Sequence, residues 1–408
     1  MVPKGWSSWI LSDICRKQIS YGIVQTGDNL PNGIPCLRVV DLTRDVMRLE
    51  DMIKTSEETN KAYRKTILEK DEIVMALRGE IGLARLIDDN LVGANITRGL
   101  ARISPETKVV LPEFLLWELR SPQFRADLIR RVGGSALQEI SLTELRKVRT
   151  LLPPLLEQKK IAQILSTWDK AISVTEKLLV NSQRQKKALM QQLLTGNKRL
   201  LDENGVRFSG EWQSLQISDI GTVVTGSTPP KNDSDNYGGD ISWATAEDFV
   251  GKYVSNTKIK LSEQGAKKAR IVPKGSILVT CIASIGKNAI ADENMGTNQQ
   301  INSVIVRGSN SNEFFYYQIE FNVKTLLTLA GTTAVPIINK SSFEKVSLKF
   351  PHFEEQQKIA DVLSAADAEI TTLQKKLACL KEEKKALMQQ LLTGKRRVKV
   401  EAEEAVSA

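Results

Sequence analysis

At 408 residues the chain is longer than a single hydrophobic core usually supports, so two or more domains are expected. Lys and Arg number 57 against 48 Asp and Glu, and the net charge of +9 favours a polyanionic partner without identifying one. The four cysteines, at 15, 36, 281 and 379, are too few and too scattered for a disulfide framework or a zinc site, and read as free thiols of a reducing cytoplasm. The stretch Met1-Val2-Pro3-Lys4-Gly5-Trp6 has no apolar signal core, and no apolar run reaches the roughly 18 residues of a membrane span, so a cytoplasmic protein without membrane contact is expected.

Residues 1–152 read as a first globular domain. The short apolar runs 34–40, 73–77 and 99–103, broken by Gly, Pro and Asn, are strand-like, and 112–131 is helical. That mixture predicts an α+β domain. Its candidate DNA contacts are Lys17, Gln18, Arg38, Arg78, Arg98, Ser135 and Gln138. Arg and Lys bind phosphate or guanine, Gln matches adenine, and Ser takes either base or phosphate. Taken singly, such residues more often cap turns or face water; it is the set that carries weight.

Residues 153–196 follow as one helix, entered after Pro153 and stopped at Gly196. Apolar positions alternate four and three apart through Ile161, Leu165, Trp168, Ile172, Leu179, Leu189 and Leu193, a heptad seam interrupted by Thr175, Ser182 and Lys186. About 38 residues make a rod of roughly 57 Å.

Residues 197–350 form the second globular domain, with strand-like runs at 277–282 and 302–306 and a helical stretch at 313–329. Three loops carry groups suited to nucleic acid. The first holds Thr225, Ser227, Thr228, Lys231 and Asn232, the second Asn298, Gln299 and Gln300, and the third Thr332 and Thr333.

Residues 351–394 repeat the first helix. Lys186-Lys187-Ala188-Leu189-Met190-Gln191-Gln192-Leu193-Leu194-Thr195-Gly196 recurs unchanged from Lys384 to Gly394, an offset of 198. The same offset relates Pro153, Glu157, Gln158, Ile161, Leu165 and Asp169 to Pro351, Glu355, Gln356, Ile359, Leu363 and Asp367. The second seam is Ile359, Leu363, Ala366, Ile370, Leu373, Leu377, Leu380, Leu387 and Leu391, and Trp168 is expected to face the small Ala366. Residues 395–408 are a charged tail. The heads echo each other only weakly, as in Ser12-Asp13-Ile14 after Trp6 and Ser218-Asp219-Ile220 after Trp212, at drifting offsets. Near-identical helices imply one shared task, and divergent heads imply different targets. Connectivity favours antiparallel helices with pseudo-two-fold symmetry and a head at either end.

Catalytic chemistry is missing from the pattern. The one histidine, His352, has Pro154 as its repeat mate, which no catalytic role would tolerate. There is no Gly-rich phosphate loop ending in Gly-Lys-Ser/Thr, no Gly-x-Gly nucleotide fingerprint and no Asn/Asp-Pro-Pro-aromatic segment of an adenine methyltransferase. No catalytic residue and no metal ligand is expected on the chain. A competing reading is a coiled-coil scaffold whose duplicated heads bind proteins.

The run Pro153-Pro154-Leu155-Leu156-Glu157-Gln158-Lys159-Lys160-Ile161-Ala162, with its echo from Pro351 to Ala360, resembles the opening of the conserved helical regions of type I restriction–modification specificity subunits. The two Gln-Gln-Leu-Leu-Thr-Gly ends resemble their close, and Gly239 to Asp248 and Gly331-Thr332-Thr333-Ala334 resemble the second recognition domain. The resemblance implies that each head is a target-recognition domain reading a half-site of double-stranded DNA through the major groove, and that the helices fix a spacer. It implies no cofactor on this chain. Two modification subunits would use S-adenosylmethionine to methylate adenine in each half-site. Two motor-nuclease restriction subunits would use ATP and Mg²⁺ to cleave unmethylated DNA.

Overall fold

The computed structural model describes residues 2–133, 138–330 and 335–400. It divides into two compact units, Met1–Glu176 with Lys376–Ala408, and Lys177–Lys375. The units cut the chain differently from a linear partition into heads and helices: each contains one head and half of each long helix.

In the first unit a four-stranded antiparallel sheet runs in the order Cys15–Tyr21, Leu100–Pro105, Ile73–Ala76, Ala84–Leu86. A three-stranded sheet has Ile34–Leu37 at its centre, antiparallel to Ile53–Thr55 and parallel to Asn95–Ile96. The strand Ile73–Ala76 is buried at every position, and its period of two divides two cores. Ile73 and Met75 enter the cluster that reaches the long helices through Ile161, Leu165, Leu391 and Leu392. Val74 and Ala76 enter a second cluster with Leu37, Ile96 and Leu100.

The second unit repeats this design. Its five-stranded sheet runs Gly221–Thr225, Ile301–Val306, Ile277–Thr280, Asn288–Ala291, Tyr253–Val254. Its four-stranded sheet runs Ile259–Leu261, Tyr237–Ala244, Met295–Thr297, Ile271–Val272. Ile277 and Val279 face the core shared with Leu193, Ile359 and Leu363, while Leu278 faces the other.

The helical stretches beside the sheets are each broken rather than continuous. In the first unit Pro112–Leu119 stops before Pro122–Arg130. Pro122 has no N–H to continue a helix, and Ser121 Oγ caps the next one by accepting from Phe124 N at 3.1 Å. In the second unit Asn312–Phe321 and Val323–Leu329 meet at Asn322.

The long helices are Leu155–Leu193 and Phe353–Leu391, 39 residues each. Gly196 and Gly394 stop them with φ of +75° and +67°, the left-handed region open to glycine. Every apolar seam position is covered. Ile161, Leu165, Leu193, Ile359, Leu363 and Leu391 are buried. Trp168, Ile172, Leu179, Leu189, Ala366, Ile370, Leu373, Leu377, Leu380 and Leu387 are half-buried. Even the seam's polar members are covered: Thr175 and Ser182 are buried, and Lys186 is half-buried.

Within each unit the two helix halves run antiparallel. In the first, Glu176 pairs with Lys381 at 2.8 Å and Asp169 with Lys384. In the second, Ser182 Oγ donates to Glu369 at 3.1 Å and Lys186 pairs with Asp367 at 2.8 Å. This register corrects one expectation. Trp168 lies level with the neighbourhood of Lys384, and Ala366 with that of Lys186, so the Trp168–Ala366 pairing does not form. In an antiparallel pair, repeat mates away from its centre are not opposite one another.

The repeated residues make repeated contacts. Arg397 grips Glu157 through two bonds of 2.7 Å, and Arg199 grips Glu355 through two of 2.6 Å. Gln158 donates to Pro153 O at 2.9 Å and accepts from Leu111 N at 2.8 Å. Gln356 donates to Pro351 O at 2.9 Å and accepts from Ser311 N at 2.9 Å. Each carboxylate–guanidinium fork is a charge-assisted, two-point contact, so it fixes orientation as well as adding affinity. The start of the charged tail is thus a structural tie, through Arg397; residues 401–408 lie outside the described residues.

Candidate nucleic-acid interface

In the first unit, loops leaving several strands converge on a cleft of about 690 Å³. Ile23, Val24 and Thr26 follow one strand, Arg38 to Val40 follow another, and Arg78 and Gly79 follow Ile73–Ala76. The turn Thr97 to Gly99 and the pair Gln138–Glu139 complete it. Four of the residues singled out from sequence therefore meet here: Arg38, Arg78, Arg98 and Gln138.

Their states differ. Arg38 is spent on its own fold: its Nε and Nη2 bond the two oxygens of buried Asp41 at 3.1 and 3.0 Å, and Nη2 also reaches Asp51 O at 3.2 Å. The bond to Asp41 holds this guanidinium above its ordinary range. Arg78 and Arg98 are exposed and have no side-chain bond or ion pair among the described residues. The Arg78 side chain lies across Gly99, where a built Cβ would sit 3.1 Å from its Nε. Gln138 is exposed beside the bridge that pairs Arg78 with Glu139. Two unpaired guanidiniums against one nearby carboxylate, Glu139, leave the cleft suited to an electron-rich ligand.

Lys17 and Gln18 are not brought to this cleft. They lie on the strand Cys15–Tyr21, and Lys17 Nζ is held by Glu69 and, at 3.4 Å, by buried Glu72. Arg102 Nη1 also approaches Glu72 at 3.6 Å, so the ammonium belongs to an internal charge network. The bond from Lys17 keeps the Glu69 carboxyl below its usual range. Ser135 lies outside the described residues.

In the second unit the first and second loops come together. Ser227 N donates to Thr297 O at 2.8 Å, Gly226 N to Ile301 O at 2.9 Å, and Thr228 Oγ1 to Gln299 Oε1. Gly226 is required for this approach, because a Cβ there would stand 2.1 Å from Asn298 O. Asn298 organises its own turn, accepting from Gln300 N at 3.1 Å and donating to Gln300 Oε1 at 3.4 Å. Thr225 Oγ1 donates to Asn302 Oδ1 at 2.7 Å. Ser227 Oγ accepts from Arg270 N at 3.0 Å. Lys231 and Asn232 continue as exposed residues, while Thr332 and Thr333 lie outside the described residues.

Arg270 is a participant that the sequence reading missed. Its Nη1 donates to Thr225 O at 2.8 Å, bringing an exposed cation to the loop. Nothing near Arg270 in the chain signals this, because the strand it precedes, Ile271–Val272, is placed by tertiary pairing with Met295–Thr297.

Among the described residues no group of three or more His, Cys, Asp or Glu is arranged to hold a metal ion. Among them, too, no helix is long and apolar enough to cross a membrane. All four cysteines are free, and burial pushes the Cys15 thiol up to about 12 and those of Cys36 and Cys281 up to about 11. Those three are poor nucleophiles.

The chain is similar to known proteins in both sequence and fold. The family model described as the type I restriction modification DNA specificity domain matches residues 3–181 and again 209–382. The type I restriction enzyme MjaIX specificity subunit of Methanocaldococcus jannaschii is 37% identical over 166 residues; the match covers 38% of this chain and 38% of that relative's length. The MjaVIII specificity subunit of the same organism is 25% identical over 323 residues, covering 74% of each chain. The solved type I restriction–modification S subunit from M. genitalium superposes with a TM-score of 0.60 at 14% identity, covering 98% of this chain and 97% of that one, which is a likeness of fold. Two matches to one family model, each spanning one head and most of one long helix, repeat what the internal duplication says: the chain belongs to the family of the type I restriction modification DNA specificity domain.

Proposed function

We propose that the chain reads a bipartite DNA target, one half-site per head, and that its paired helices set the spacer between the half-sites. The observation that carries this is the pair of loop clusters built on one backbone design but lined by different side chains. The free guanidiniums of Arg78 and Arg98 line one cluster, and amides and hydroxyls, with Arg270 bonded at their edge, line the other. Sequence is read by hydrogen-bonding groups at base edges, so unlike linings on a common scaffold fit unlike half-sites.

The chemistry resides on partners. Two modification subunits carry S-adenosylmethionine and methylate adenine in each half-site, and two restriction subunits use ATP and Mg²⁺ to cleave unmethylated DNA. This chain positions them and holds none of these groups itself.

Replacing residues 197–350 with the corresponding segment of another specificity subunit tests the assignment. Methylation by the reconstituted complex is expected to change in one half-site and keep the other. Methyl transfer by the isolated chain, or a change in both half-sites, contradicts it.

A further inference from the structure

The two heads can be aligned hydrogen bond by hydrogen bond, and the alignment pairs residues, Arg98 and Gln299 among them, that no single sequence offset relates. Leu100 N donates to Thr97 O at 2.9 Å, and Ile301 N to Asn298 O at 3.1 Å, closing the same four-residue turn. Thr97 N donates to Leu37 O at 2.9 Å, and Asn298 N to Ala244 O at 3.1 Å. Ile23 N donates to Ile96 O, and Ser227 N to Thr297 O, both at 2.8 Å. The matches place Arg98 where Gln299 stands and Gly99 where Gln300 stands.

A neighbouring loop aligns as well. Ile140 N donates to Leu77 O, and Ile338 N to Cys281 O, both at 2.9 Å. Isolated bridges join Arg78 to Glu139 and Ile282 to Ile337. The next residue is left-handed in both, Gly79 with φ of +67° and Ala283 with φ of +64°. Arg78 therefore corresponds to Ile282.

Given the DNA-reading assignment above, on which this step rests, we infer that the equivalent turns read different purines: Arg98, beside Arg78, takes guanine in one half-site, and Gln299 takes adenine in the other. Guanine offers two acceptors, N7 and O6, to the major groove, and a guanidinium offers two donors at matching separation. Arg98 is exposed and unpaired, so its fork is available. Arg78 adds a second positive charge across Gly99 and no carboxylate bonds either group. Adenine offers a donor and an acceptor, which an amide matches and a guanidinium does not. Gln299 is exposed, and Thr228 bonds its Oε1, which orients the amide while leaving its N–H groups and one lone pair. Ile282 puts an apolar side chain where the first head has Arg78, suited to the thymine methyl of an A·T pair.

The test uses the full chain with its modification subunits and duplexes randomised in both half-sites, selected by binding and sequenced. Arg98→Gln is expected to lose guanine at one position of one half-site, with on the order of ten- to a hundred-fold lost discrimination. Gln299→Arg is expected to move one position of the other half-site from adenine to guanine. All other positions stay as in the parent. If Arg98→Gln weakens every sequence equally and lowers the salt slope by about one, Arg98 is a phosphate contact and the inference fails. It fails equally if Gln299→Arg leaves base preference unchanged. A parent complex that enriches no bipartite sequence overturns the DNA-reading assignment itself, which is a separate outcome. The variants lie in different heads, so loss of fold in one, seen by thermal melting, leaves the other decisive.

Discussion

At the scale of single residues, internal duplication makes each half of the molecule a control for the other. Trp117 and Tyr317 hold equivalent places, over which Lys384 and Lys186 sit at 4.7 and 5.4 Å from the ring centres. The next residues are Glu118 and Gln318. Gln318 donates to Leu194 O at 3.1 Å and Lys349 O at 2.9 Å. Glu118 accepts from Leu151 N at 3.3 Å, but its Oε2 is buried without a partner. Burial pushes this carboxyl up to about 8, with only the Leu151 N–H acting the other way. The unfolded carboxyl titrates near 4.5, so between about pH 4.5 and 8 the native state holds a proton that the unfolded chain has released. Stability from this group is complete below that window and is lost as pH rises through it. Glu118→Gln, which copies the other half, is expected to flatten the decline and add about 1–3 kcal/mol at pH 8, read by thermal melts across pH 5–9.

Close approach at Gly226 gives a second residue-level expectation. Gly226→Ala forces the loop off Asn298 O and is expected to cost about 1–3 kcal/mol in urea denaturation, with faster amide exchange at Ser227. The same scale shows what sequence can reveal. That Arg78 and Arg98 lie in loops was legible, because each precedes a glycine close to a strand end. The pairing of Arg38 with Asp41, three positions away, was open to reading as a local ion pair. The capture of Lys17 by Glu69 and Glu72 was not, because strand pairing brings those carboxylates in from far along the chain.

At the scale of elements, the long helices were the most legible part. A four–three apolar rhythm and an unchanged repeat marked both their extent and their seam. Their register was less so, because a heptad pattern does not set direction. Polar residues supply it: Asp169 and Asp367 each take a lysine from the opposite helix. Lys186 is the more buried of the two lysines and also meets Glu320 at 3.1 Å; its bonds to Asp367 and Glu320 outweigh desolvation and hold it above its ordinary range. Removing it leaves two carboxylates facing each other. Lys186→Ala is therefore expected to destabilise more than Lys384→Ala. Double-mutant cycles with Asp367 and Asp169 should return coupling of about 0.5–3 kcal/mol, larger for the Lys186 pair. The strands were legible as elements, but their order was not, since it depends on parallel pairings between segments such as Ile34–Leu37 and Asn95–Ile96.

At the scale of the whole molecule, the proposed function rests on two unlike heads and one repeated helical device. The repeat preserves the residues that tie each head to the helices: Glu157, which accepts from Trp6 Nε1 at 3.2 Å, and Glu355, Gln158 and Gln356. It leaves the loops at the heads' clefts to diverge. That division of labour predicts that helix length and half-site identity vary independently. Removing one matched heptad from each long helix, at 173–179 and 371–377, shortens each by about 10 Å, or about three base pairs of duplex. Genome-wide mapping of adenine methylation in a host carrying this variant measures the result directly. The account predicts the same two half-sites brought closer by a shorter spacer; an unchanged spacer, or altered half-site bases, contradicts it.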